Sequence, residues 1–152
     1  MGLLRTICWP TSPKARLLSQ LAGLAGQVET LATRLGRHAE MCSYESIRAG
    51  LQRLAATEAE QASSLRHLLL EHGASPRPSN AATREGSSNW ERVGSDLALQ
   101  VSLFRDLNSQ LVEWERIDPA VVKRLREFAA REDESLTSLR DLALRCDPQA
   151  LD

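Results

Sequence analysis

Two glutamates, Glu58 and Glu132, are the residues whose positions point most directly to chemistry. Glu58 lies in the series Ile47, Leu51, Leu54, Glu58, Gln61, Leu65, Leu68 and His72, whose alternating spacing of four and three marks one buried helix face. Glu132 lies in the series Val121, Leu125, Phe128, Glu132, Ser135, Leu139, Leu142 and Cys146, the same spacing shifted by 74 at every position. A carboxyl on an apolar seam either ligates a metal ion or joins a buried hydrogen-bond network, unless it snorkels to solvent from an ordinary bundle. Two such carboxyls close together repel, so one is expected to hold a proton and share it with the other.

Other chemistries have less support. Ser64 and Ser135 have no neighbouring histidine to activate them, which argues against a hydrolase. His38, His67 and His72 fall near helix ends or on outward faces and are expected to be solvated, with His72 capping a last turn. No second histidine or carboxylate stands at clear ligand spacing from any of them. Cys8, Cys42 and Cys146 form an odd set without a CxxC pair, so neither a disulfide framework nor a zinc site is indicated, and a reducing, cytoplasmic setting is the expectation.

The elements that position these residues can be read from caps. Ser12 before Pro13 places a proline at the first helical position, where its missing N–H has no consequence. The first helix is predicted over 13–41 and a turn through 42–45 leads to the second, which Gly73 ends as a C′ residue. The segment 74–89, with Pro76, Pro78 and a Ser/Asn/Gly-rich stretch, reads as loop. A third helix is predicted from Trp90 to Arg116, and Asp118-Pro119 repeats the cap-plus-proline signature to start a fourth, which Asp147-Pro148 ends near Cys146. The chain thus divides into an N-terminal arm over 1–12, a single all-α bundle over 13–146 and a tail over 147–152. Trp90 and Trp114 are expected to plug the core. Gly23, Gly26 and Gly36 weaken the first helix by about 1 kcal/mol each relative to alanine, which points to a close approach there, a dimer face being one use.

The second and fourth helices agree in identity as well as register. Between 54–70 and 128–144, nine of seventeen aligned pairs are identical, among them Glu58/Glu132, Ser64/Ser138, Leu65/Leu139 and Arg66/Arg140. The first and third helices echo this at an offset of 73 through Leu24/Leu97, Gln27/Gln100, Val28/Val101 and Glu40/Glu113. Duplication of a helical hairpin, 13–73 repeated as 90–146, accounts for both offsets. A loop joining antiparallel neighbours needs only about 2–8 residues. The 17 residues from 73 to 89 exceed that. Extended, they reach about 56 Å, enough to pass the second helix, about 40 Å long, and to act as a crossover.

Four helices in two hairpins joined by one crossover resemble the ferritin-like superfamily of the rubrerythrin and bacterioferritin type, over about residues 16–146. Its di-iron members place a glutamate on the first and third helices and a Glu-x-x-His pair on the second and fourth. Here the corresponding tetrads are Glu58-Ala59-Glu60-Gln61 and Glu132-Asp133-Glu134-Ser135, so Gln61 and Ser135 stand where the family carries histidine. The inward positions of the first and third helices are best matched by Gln27 and Gln100. Glu29 is a fallback on a less favourable face, with Ser102 as its repeat partner. The resemblance therefore implies six former ligand positions: Gln27, Glu58, Gln61, Gln100, Glu132 and Ser135.

Two irons require several anionic oxygens and imidazole to offset the loss of their water. Two carboxylates are too few, and Gln27, Gln61 and Gln100 are expected to donate to Glu58 and Glu132 instead. The expected function is that of a binding or structural module, not an enzyme, without a di-iron centre and without cofactor. The alternative is a ferritin- or rubrerythrin-type metal-binding protein or oxidase, in which Glu58 and Glu132 hold iron or another divalent metal with water and amide ligands.

Composition bounds the partners. A length of 152 residues suits one domain with one core. With 19 basic and 20 acidic side chains there is no positive field to hold a phosphate backbone, so nucleic acid is not an expected partner. No apolar run is long enough to span a membrane, and Trp9, Pro10 and Pro13 interrupt the start before a secretory h-region forms. Met1-Gly2-Leu3-Leu4-Arg5-Thr6 fits the loose N-myristoylation pattern, with Cys8 available for a second lipid, but membrane association is not the expectation. A protein partner or a homodimer remains open.

Overall fold

The computed structural model describes residues 12–79 and 86–147, which form four helices: α1 (Pro13–Met41), α2 (Glu45–Glu71), α3 (Asn89–Trp114) and α4 (Pro119–Cys146). Among the described residues there is no strand. The helix ends follow from local chemistry. The Ser12 hydroxyl accepts from Ala15 N–H, and Asp118 accepts from Ala120 and Val121, each ahead of a proline at the first helical position. Ser88 and Glu91 close a capping box on α3, one residue ahead of the start expected at Trp90. Gly73, at φ 72°, takes the left-handed position that ends α2, and Ala74 N–H bonds back to Leu69 C=O.

Each helix packs against two others: α1 against α2 and α3, and α4 against α2 and α3. All four contacts are antiparallel. Arg16 meets Glu113 and Arg34 meets Asp96 across α1 and α3, while Glu71 meets Arg124 and Gly50 abuts Leu142 across α2 and α4. The seams expected on α2 and α4 are buried from Ile47 to Leu68 and from Val121 to Leu142, with His72 and Cys146 half-buried at their ends. The apolar core forms two clusters. One holds Leu17 to Val28 with Leu65, Leu103, Trp114 and Leu125; the other holds Leu31 to Cys42 with Leu51, Val93 and Leu139. Glu58, Gln61, Gln100, Glu132 and Ser135 are buried but belong to neither.

Three expectations need correction. Trp90 is 40% exposed beside the α3 N-terminus, so only Trp114, fully buried, plugs the core. His38 is buried, not solvated, because a carboxylate from α3 reaches it. At Gly26 it is the chain's own 77–79 segment that approaches closely: a Cβ there would stand 1.7 Å from Arg77 C=O. Arg77 N–H donates to Ala22 C=O at 2.9 Å and its guanidinium to Ser19 C=O at 2.6 Å, which seats the segment on α1. Ser12 excepted, the N-terminal arm lies outside the described residues, as do Cys8, part of the 74–89 loop and, Asp147 excepted, the C-terminal tail. No helix among the described residues is long and apolar enough to cross a membrane.

Candidate functional site

Glu58 on α2 and Glu132 on α4 meet at mid-bundle, both fully buried. Their shared place on the two seams produces this, since α2 and α4 are antiparallel neighbours. Gln100 on α3 spans the pair: its Nε2 donates to Glu58 Oε1 at 3.2 Å and to Glu132 Oε2 at 3.3 Å. The two hydrogens of one amide NH2 are thereby divided between two carboxyls. The Ser135 and Glu132 side chains both stand close enough to the Glu58 carboxyl to perturb it.

Electrostatics assign the proton. Burial raises Glu132 first, the Glu58 charge and the Glu58 hydrogen bond add to this, and Gln100 opposes them, leaving Glu132 pushed up to about 9. Burial also raises Glu58, opposed by its hydrogen bonds from Glu132 and Ser135. With its carboxyl pushed up to about 9, Glu132 holds a proton at neutral pH.

Of the six positions picked out in the sequence, Glu58, Gln100 and Glu132 are joined by hydrogen bonds, and Ser135 is buried beside Glu58. Gln61 is 1% exposed in the same layer, but neither atom of its amide has a partner, so it is not the donor expected. Gln27 is half-buried and stands apart, beside Gln110 in a hollow between α1 and α3. The register set by Arg16–Glu113 and Arg34–Asp96 explains this, since it puts Gln27 opposite Leu103, nearly a turn beyond Gln100. Glu29 is on the surface, paired with Arg66 at 2.7 Å.

A second buried polar cluster was not anticipated. Arg34 Nε donates to Asp96 Oδ1 at 2.8 Å, Arg34 also bonds to Ser95 Oγ at 2.6 Å, and His38 Nδ1 lies 2.5 Å from Asp96 Oδ2. Arg34 and His38 are four residues apart on α1. Asp96 shares the inward face of α3 with Val93, Gln100, Leu103 and Leu107. That 3–4 spacing is the signal by which the sequence could have revealed it.

Among the described residues no group of three or more His, Cys, Asp or Glu side chains could hold a metal ion. Cys42 is buried and Cys146 half-buried, both as free thiols, and burial together with the nearby Cys42 pushes the Cys146 thiol up. Comparison with models of known protein families and with curated proteins gives no match.

Proposed function

We propose that the chain is a ferritin-like bundle whose metal centre has given way to a proton-sharing carboxyl pair, and that it acts as a binding or structural module rather than an oxidase. The connectivity supports the fold reading. With α1 antiparallel to both α2 and α3, the second and third helices run the same way, which supports reading the connection between them as a crossover. Burial of seam positions 74 apart on α2 and α4, with glutamate at both centres, supports duplication of the hairpin.

The observation that carries the functional reading is the Gln100 amide. A di-iron site needs open, anionic oxygens facing a common point, yet an NH2 group donates into both carboxyls there. The remaining groups are an amide and a hydroxyl, Gln61 and Ser135, in place of imidazole. This donor set does not fit two irons. A protein partner or a second copy would find exposed apolar side chains at Trp90, Val112 and Leu144, and the setting we favour is the cytoplasm.

Elemental analysis and a ferroxidase assay on protein purified from iron-supplemented culture test this. Sub-stoichiometric iron and no oxidation above the buffer rate are expected. Two irons per chain would overturn it in favour of an atypical di-iron protein.

A further inference from the structure

Among the large apolar side chains exposed on the described residues, three lie on α3 at intervals of eleven: Trp90 at 40%, Val101 at 43% and Val112 at 62%. Eleven residues complete three helical turns to within about 20°, so the three stand in one line about 33 Å long. Leu97, Ala98 and Phe104 flank Val101 on the same side of the helix, half-buried or exposed. The rest of α3 is turned to α1 and α4, and a Cβ at Gly94, on the outer line, would meet no atom within 4 Å.

The polar side chains on this face are turned back on α3 itself. Asn108 Nδ2 donates to Phe104 C=O at 2.8 Å, and Arg105 reaches Ser102 Oγ at 3.3 Å and Asp106 at 3.5 Å. An apolar face whose few polar groups already have partners has the character of an interface core, where free charge is depleted.

The order of the residues selects the occupant. Trp90 and Val112 are each eleven residues from Val101, Gly94 and Asn108 each seven, and Ala98 and Phe104 each three. Two copies of α3 packed antiparallel with Val101 on the twofold axis therefore set Trp90 against Val112, Asn108 against Gly94 and Phe104 against Ala98. In each pair the larger side chain meets a smaller one, as close packing requires. Leu97 falls opposite Arg105, whose aliphatic stem can cover it. A twofold contact between identical chains needs this self-complementarity, whereas a foreign partner does not call for it.

We propose that the outer face of α3 is a homodimer interface, two copies packed antiparallel about Val101. This rests on the reading of the chain as a binding or structural module, whose partner it names, and is independent of metal content. A contact about 33 Å long and one helix wide is at the small end of specific interfaces, so the dimer is reversible rather than permanent.

Sedimentation velocity of the full chain, over a concentration series into the high micromolar range, tests it. The parent should pass reversibly from monomer to dimer. Val101→Glu sets two like charges on the axis and should weaken dimerisation about tenfold or more, as should Val112→Glu against Trp90. Both side chains are exposed in the single chain, so in dilute solution both variants should melt with the parent. Leu70→Glu, at an exposed position on α2, diagonal to α3 in the bundle, should leave the affinity unchanged. A monomer at every concentration, a dimer unaffected by both α3 variants, or one weakened as much by Leu70→Glu would overturn the proposal. Iron content measured on the same sample separates the two readings, since stoichiometric iron would sink the module reading alone and a persistent monomer would sink only this one.

Discussion

At the scale of single residues, the mid-bundle layer depends on which amide faces which carboxyl. Gln100→Leu should destabilise the chain by about 1–3 kcal/mol, because both carboxyls would lose a buried donor. Gln61→Leu should be neutral or stabilising in denaturant melts, because its amide bonds to neither. The sequence suggests the opposite for Gln61, since seam spacing places a side chain in a layer but says nothing of its rotamer. The pair also ties stability to pH. Glu132 is raised from 4.5 to about 9, so between those values the folded chain binds more protons than the unfolded one, and stability falls as pH rises. The loss approaches about 1.4 kcal/mol per pH unit for one proton. Glu132→Gln, neutral at every pH, should flatten that slope; an unchanged slope would place the proton elsewhere.

At the scale of elements, the helices were the most legible part. Ser12-Pro13, Asp118-Pro119 and Gly73 act through local backbone chemistry, which needs no knowledge of the partner helix, and they stand where the caps and turn require. Residues whose role depends on a neighbour were misread. The three α1 glycines suggested a close helix, yet Gly26 makes room for the 77–79 backbone. Gly26→Ala should cost about 1–3 kcal/mol despite alanine's better helix propensity, because a backbone carbonyl cannot swing aside as a side chain can. His38 looked like a solvated helix end until Asp96 arrived from α3. Asp96→Ala leaves the Arg34 charge buried and unpaired, so a loss of about 3–5 kcal/mol is expected in urea melts. A loss under 1 kcal/mol would mean that Arg34 reaches water.

At the scale of the whole molecule, a polar layer divides one bundle into two apolar clusters. Buried carboxyls are only partly compensated by their hydrogen bonds, so Glu58→Leu combined with Glu132→Leu should leave the bundle as stable or more so, joining the clusters into one core. The location of the layer was legible because both seams carry glutamate at the same register. Its membership was not, since the offset of Gln27 from Gln100 follows from the α1/α3 register, which only the folded pairing sets. Everything proposed for the centre turns on whether Glu132 holds a proton where the resemblance would place metal. A carboxyl-carbon NMR titration of Glu132 measures this directly: the account predicts a protonated carboxyl at pH 7 with a midpoint near 9, and a midpoint in the ordinary carboxylate range would contradict it.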